Sequence, residues 1–294
     1  MPDIIHLQGN YSSLLLLITL KNKNIVITPH ADLQGEYLNL ITLKAKINQK
    51  IVIFIEHFVM KKFNNFIFIS EYLKNIFYKQ RVIGQINCQA IIFNPVNPIF
   101  FLAKDNEPIN RLNILYVGEI SKRKGLIDLL KSLGELTAKG IIYHLNIVGD
   151  FNNNLYKDLI FSTIKENNLD FQITFFGWIS QKSIAELMDY NGIFVLPSYQ
   201  ESLPMSIIES MSSGKLVIAT DVGGITEIVK HEVTGYIYNK NDIKQLSSIL
   251  EKLYYNPLIY LSISHNARIY AKDNFSPKMI SKKTKYFYSS IINR

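Results

Sequence analysis

From residue 112 onward the chain alternates short β-branched runs with stretches whose apolar residues recur at helical spacing, and no other feature limits its folding choices as much. Ile114–Val117 reads as a strand, and Leu126, Leu129, Leu130, Leu133 and Leu136 follow on one face of a helix. Further strands are predicted at Leu145–Val148, Ile173–Phe176, Ile193–Leu196 and Leu216–Ala219. Helices are predicted over Leu155–Lys165, Ser183–Tyr190, Pro204–Ser212 and Asp242–Tyr254. Hairpins cannot join strands that alternate with helices, so right-handed crossovers and a parallel sheet follow. The strands are apolar throughout, as burial of both sheet faces requires. The expected class is α/β, with a doubly wound parallel sheet.

Residues 1–108 carry a weaker form of the same signal. Ile4–Leu7, Ile25–Ile27, Phe66–Ile69 and Ile91–Phe93 are predicted strands, with a helix over Tyr72–Tyr78. Ile51–Ile55 fits either a strand or part of a buried helix reaching Lys62. Asn94-Pro95, Asn97-Pro98 and the stretch Lys104–Pro108 interrupt regular structure and mark a linker. Two domains are therefore expected, over 1–108 and 109–275, which suits 294 residues. A hydrophobic content of 48 % against 19 % charged residues excludes disorder over most of the length. A lone cysteine, Cys88, can form neither an internal disulfide nor a thiolate zinc site, and fits a reducing cytoplasmic compartment. The apolar run Leu14–Leu20 is far short of the ~20 residues that span a bilayer. No basic segment precedes it, so it does not read as a signal peptide.

The formal charge is +8, from 32 Lys and Arg against 24 Asp and Glu. Lys278, Lys282, Lys283, Lys285 and Arg294 lie in the final segment, 276–294, which is read as a basic helix returning to the first domain. Ile280, Phe287 and Ile291 fall on one side of it. That stripe can pack against the body of the protein or rest on an anionic membrane surface. Nucleic acid is not expected as a partner, because no binding motif accompanies the charge.

In an open parallel sheet, ligands bind beyond the carboxyl ends of the strands, and three segments there are polar. Gly118-Glu119-Ile120-Ser121-Lys122-Arg123-Lys124-Gly125 is a basic loop opening a helix, suited to phosphate or simply to water. It matches neither a phosphate-cradling ATPase loop nor the dinucleotide fingerprint. Pro197 to Glu209 runs from a strand through a polar loop into a helix whose first turn Pro204 suits. Glu201 would lie in the loop and Glu209 more than a turn into the helix, while backbone N–H groups near Leu203–Met205 could face an anion. Asp221-Val222-Gly223-Gly224-Ile225-Thr226-Glu227 follows another strand, and its paired glycines allow close approach to a ligand or only a tight turn.

In this order and at these separations, the three segments resemble the nucleotide-binding half of the family 4 retaining glycosyltransferases, which have two Rossmann-like domains (the GT-B type). The resemblance runs from about Asn113 to Tyr254, and its most specific part is the Glu-x7-Glu motif at Glu201–Glu209. Ala219–Glu227 and the turn at Thr234-Gly235-Tyr236 extend it. It implies that Glu201 lies near the transferred sugar, that Glu209 holds the donor ribose and that Lys124 touches the diphosphate. Ser202, Leu203, Pro204 and Gly118 join them as donor contacts. The family commonly places an arginine directly after the glycine matching Gly118; here Glu119 stands there, and Arg123 is the nearby substitute. In the front segment, Val26-Ile27-Thr28-Pro29-His30 resembles the strand end that presents the family's active-site histidine. The first strands and glycine-rich loop of that family have no counterpart before Pro2, so the first domain reads as incomplete and the chain as N-terminally truncated.

The resemblance implies a retaining transfer of sugar from a nucleotide diphosphate sugar to a saccharide or lipid-linked acceptor, in surface polysaccharide or glycoconjugate synthesis. Glu201 and His30 are the expected catalytic residues, and the sugar nucleotide is a substrate, with no further cofactor. The absence of any Asp-x-Asp argues against a metal-dependent transfer. His6 is expected to pack or bond locally, and His57, His144, His231 and His265 lack partners at metal spacing. A loop near Gly177–Trp178 is nominated for the choice of base and sugar. The expected location is the cytoplasm, with peripheral contact at the inner membrane face. The competing reading is a catalytically incomplete chain that binds sugar nucleotide, or a partner subunit, without transfer.

Overall fold

The computed structural model describes residues 3–9, 24–31, 43–103 and 111–293. The run Leu14–Leu20, the stretch Lys104–Pro108, Pro2 and Arg294 lie outside them. Two compact units are formed, one by Met1–Asn94 with Lys278–Arg294 and the other by Pro95–Pro277.

The first unit holds a four-stranded parallel sheet whose spatial order follows the chain: β1 (Ile5–Gln8), β2 (Ile25–Thr28), β3 (Asn65–Phe68) and β4 (Cys88–Ile91). Ile51–Ile55 lies within a helix, α1 (Leu43–Met60), although among its described side chains only Val59 and Met60 at its end are buried in the core. Ser70 caps α2 (Glu71–Lys79), its Oγ accepting from the Leu73 N–H at 3.1 Å. The strand expected at Ile91–Phe93 instead occupies Cys88–Ile91. It pairs with Asn65–Phe68, and once Ile92 N–H has donated to the Phe68 carbonyl no partner strand remains. The basic C-terminal helix, α10 (Pro277–Ile292), buries Ile280, Phe287 and Ile291 in a cluster with Val26, Ile67, Cys88 and Ile92. Its apolar stripe is therefore taken up by the core, which leaves none of it for a membrane surface.

The second unit contains a six-stranded parallel sheet. Its chain order is β5 (Asn113–Val117), α3 (Leu126–Ala138), β6 (His144–Val148), α4 (Asn154–Glu166), β7 (Ile173–Gly177), α5 (Gln181–Asp189), β8 (Ile193–Leu196), α6 (Met205–Ser212), β9 (Leu216–Thr220), α7 (Ile225–Ile228), β10 (Tyr236–Tyr238), α8 (Ile243–Tyr255) and α9 (Pro257–Phe275). In space the strands run β10-β9-β8-β5-β6-β7, so the order reverses beside β5. The β8 and β9 strands are buried at every residue, whereas the edge strand β7 leaves Thr174 and Phe176 exposed. Helices start where the sequence offers a side-chain acceptor: Asn153, Ser180 and Asp242 each bond a first-turn N–H. Pro204 sits one position outside α6, in extended conformation, and not in its first turn.

The sequence expectation put the domain division at residue 108, but the chain joins the second unit from Pro95. Val96 N–H donates to the Phe275 carbonyl at 3.0 Å, and Ser213 Oγ donates to the Phe100 carbonyl at 3.1 Å. The Arg268 guanidinium donates to the carbonyls of Phe101 and Ala103 at 3.0 and 2.6 Å. Residues read as linker are thus held by α6 and α9.

Candidate active site

At the carboxyl end of β5 the chain enters the loop 118–125, and at the end of β8 it enters the loop 197–204. Gly125 joins them. It has φ +68°, and a side chain there would run into the Pro197 carbonyl. Tyr199 N–H donates to the Arg123 carbonyl at 2.8 Å, and the Arg123 guanidinium donates to the Gln200 carbonyl at 3.3 Å. Thr220 Oγ1, at the end of β9, donates to the Ser198 carbonyl at 2.6 Å. Gly224 N–H donates to the Ser202 carbonyl at 3.1 Å, and Gly223, at φ +60°, has no room for a Cβ against the Glu201 carbonyl. The glycine pair thus serves to hold the acidic loop from behind.

So pinned, the loop presents Glu201 to Lys124. The Lys124 ammonium donates to Glu201 Oε1 at 2.6 Å, and Ser198 Oγ donates to the same oxygen at 2.7 Å. The lysine side chain is 13 % exposed and the glutamate 6 %, so the pair is shielded from water on most sides. Glu209, the fifth residue of α6, is also buried, and among the described residues its carboxylate has no hydrogen-bond partner. Burial pushes its pKa up to about 7. A buried carboxyl with free acceptors is equipped to receive hydroxyl donors from a ligand. Leu203 is buried under the loop, and Gly118 lies against the Lys124 stem, where an added Cβ would meet it at 3.9 Å.

Arg123, expected on a diphosphate, donates one guanidinium N–H to the Gln200 carbonyl and so helps to organise the loop. Glu119 is exposed, and the buried Tyr116 phenol donates to its carbonyl at 2.9 Å. Glu119 also lines a cavity of about 380 Å³ with Gly118, Gly149, Asp150, Trp178 and Ile179. That cavity spans the carboxyl ends of β5, β6 and β7, and it includes the nominated loop at Gly177–Trp178 through Trp178.

His30 belongs to the first unit. Asn94 Nδ2 donates to its Nδ1 at 3.4 Å and its Nε2–H donates to Gln8 Oε1 at 3.2 Å, a pattern only one neutral tautomer satisfies. Burial lowers its pKa, in keeping with that form. Gly9, at φ +69°, leaves space for the ring. His6 bonds Tyr288 Oη at 2.6 Å and Thr28 Oγ1 at 2.8 Å and is structural.

The family model described as glycosyl transferases group 1 matches residues 100–272, more than half of the chain and almost all of the second unit. The chain belongs to the glycosyl transferases group 1. A 41.2 kDa protein from the cps region of Klebsiella pneumoniae is 26 % identical over 266 residues, which are 85 % of this chain and 68 % of that protein. The capsular polysaccharide biosynthesis glycosyltransferase CapM of Staphylococcus aureus is 27 % identical over 60 % of this chain. The match covers 46 % of CapM, so this group 1 chain spans about half to two thirds of the length of these curated relatives. In fold it is similar to sucrose-phosphate synthase of Thermosynechococcus elongatus, with TM-score 0.81 and 22 % identity over 99 % of this chain and 74 % of that one. HepE of Anabaena, solved with UDP and glucose, gives TM-score 0.80 at 18 % identity over 97 % of this chain and 78 % of that one. These structures establish the α/β architecture with parallel sheets.

Sequence reasoning missed three residues around the site of this group 1 chain. Asp128 is buried in the first turn of α3, accepts the Tyr199 phenol, and so ties that helix to the acidic loop. Burial raises its pKa. A lone acid on the apolar face of Leu126, Leu129 and Leu130 was the available signal. Gly149 lets the loop after β6 close against the Gly118 carbonyl, and Ser198 stood in the quoted motif without an assigned role.

Proposed function

We propose that the chain is a retaining glycosyltransferase of the family 4 kind. It would move a sugar from a nucleotide diphosphate sugar to a saccharide or lipid-linked acceptor in surface polysaccharide or glycoconjugate synthesis, on the cytoplasmic side. The observation that carries the reading is the Lys124–Glu201–Ser198 cluster at the carboxyl end of the sheet, with the unpartnered Glu209 carboxyl in the helix that follows. A diphosphate needs a cation, which Lys124 supplies beside Glu201, and Ser202–Pro204 lead from there into the N-terminus of α6. A ribose needs an acceptor for two hydroxyls, which Glu209 offers.

In the proposed step the bond between the anomeric carbon and the diphosphate oxygen breaks while Lys124 and the helix end stabilise the departing negative charge. The acceptor hydroxyl attacks from the same face, and its proton passes to the leaving phosphate. Glu201 already accepts two hydrogen bonds on one oxygen, which suits holding the sugar and orienting Lys124 more than forming a covalent intermediate. His30, as the neutral tautomer, carries an Nε2–H that would have to leave Gln8 Oε1 to donate to a sugar hydroxyl. Lys124 and the helix end neutralise charge in this scheme without a metal ion. The name of CapM supports a polysaccharide product, and the complex of HepE with UDP-glucose supports a sugar nucleotide donor.

The test is nucleotide release from a panel of sugar nucleotides by the purified chain, with NMR of the product's anomeric configuration. Transfer with retention, lost in Lys124→Ala, is expected; an inverted product refutes the retaining assignment. Glu119 favours a second reading, binding without transfer, because a carboxylate near a diphosphate is repulsive. Donor binding by calorimetry without nucleotide release would select it.

A further inference from the structure

Helix α1 carries an exposed apolar stripe. Ile47, Ile51, Phe54 and Phe58 recur at i, i+4, i+7 and i+11, and they are 52, 55, 73 and 53 % exposed. Val52 beside them is exposed as well. Single exposed apolar residues are ordinary, but four aligned on one helix, two of them phenylalanine, form a patch that calls for a covering surface. Lys50, Lys61 and Lys62 are exposed around it, and the Lys62 ammonium lies 5.5 Å from the centre of the Phe58 ring.

The charge distribution identifies the kind of surface. The first unit holds 15 Lys and Arg against 5 Asp and Glu, a formal +10, while the second holds 17 against 19, a formal −2. All the excess positive charge of the chain therefore lies on the unit that displays the stripe. A second copy would set +10 against +10, which opposes association. An anionic lipid surface attracts that charge and accepts the phenyl rings at the headgroup boundary. The described helices are not long and apolar enough to cross a bilayer, so the helix would lie along the surface.

We propose that α1 docks the protein on an anionic bilayer, with Phe54 and Phe58 inserted below the headgroups and the flanking lysines among the lipid phosphates. This contact differs from the one expected of the C-terminal helix, whose stripe is buried, and it does not depend on the transfer reaction. The test is flotation of the full chain with vesicles of phosphatidylglycerol and phosphatidylcholine in equal parts, against pure phosphatidylcholine. Binding to the anionic vesicles, weakened by added salt, is expected. Phe54→Ser with Phe58→Ser should reduce it at least tenfold with an unchanged circular dichroism spectrum. Lys61→Glu with Lys62→Glu should reduce it several-fold, and serves if the first variant fails to fold. Equal binding to both vesicle types, no binding by the wild type, or binding within twofold of wild type in both variants overturns the proposal. So does a dimer in solution that the phenylalanine variant dissociates while wild type ignores vesicles, which would assign the stripe to a second copy.

Discussion

The buried Glu209 makes a quantitative prediction about pH. Its pKa is about 7 in the folded chain, against an ordinary value of 4.5, because burial penalises the charged form. Between pH 4.5 and 7 the unfolded chain loses a proton that the folded chain keeps, so this group lowers stability as pH rises through that window. The difference of about 2.5 units corresponds to about 3 kcal/mol, fully expressed above pH 7. Glu209→Gln should remove that slope and stabilise the free protein at pH 8. A ribose donating two hydroxyls to the carboxylate reverses the preference, since the bound form must be ionised. At pH 5.5 only about one site in thirty is ionised, so sugar nucleotide affinity should be about thirtyfold weaker than at pH 8.5. UDP-glucose is a suitable probe, because both its phosphates are diesters and do not titrate in this range. Calorimetry in two buffers of different ionisation enthalpy should also show proton release near pH 7. An affinity that is flat across the range, or a slope that persists in Glu209→Gln, refutes the assignment of the ribose to this residue.

Three substitutions test the rest of the site. Lys124→Met leaves Glu201 with only Ser198, and losing one partner of a buried pair should cost about 3 kcal/mol, or roughly 8 °C in thermal midpoint by calorimetry. Adding Glu201→Gln should recover most of that loss while transfer stays absent. Gly223→Ala places a Cβ against the Glu201 carbonyl at φ +60°; turnover should fall at least tenfold, and stability by about 1–2 kcal/mol, in rate assays and denaturant melts. Tyr199→Phe removes the phenol from the buried Asp128 carboxyl and should cost about 1–3 kcal/mol, which Asp128→Asn in the same chain should reduce.

The second unit was legible because its central strands are apolar on both faces and several of its helices begin at a recognisable cap, so period and punctuation agreed there. The exceptions are short or marginal: β10 has three residues, and the strand near residue 91 ends where its partner ends, a limit set by β3 and absent from its own sequence. The Glu201–Glu209 segment was readable as a motif, but its partners were not. Lys124 and Glu201 meet from 77 positions apart, and only the fold decides that Arg123 turns to a backbone carbonyl while Lys124 reaches the carboxylate. Gly223 could be read as facing a ligand or a turn, and its real constraint, the Glu201 carbonyl, is a tertiary contact. The exposure of the α1 stripe was likewise invisible, since the apolar run Ile51–Ile55 reads in sequence as something to be buried.

Glu119 is the residue that most tests whether this site can transfer, and its surroundings bear on the answer. It lines the cavity with a second acid, Asp150, and with the exposed Trp178, whereas the basic side chains named for the diphosphate, Lys124 and Arg123, line none of it. Charge is therefore sorted across the loop 118–125: carboxylates on the cavity side, the ammonium of Lys124 on the side of Glu201. Two carboxylates beside an aromatic plane repel phosphate, but they accept hydrogen bonds from N–H and O–H groups and leave a face for stacking. On the proposed reading, the part of the donor that enters the cavity is uncharged and ring-shaped, and the diphosphate stays with Lys124. Glu119 then directs the donor's orientation without opposing its charge. Glu119→Arg would test this: under the sorting argument it weakens sugar nucleotide binding by misplacing the diphosphate, whereas tighter binding with higher turnover would show that the carboxylate had been an obstacle.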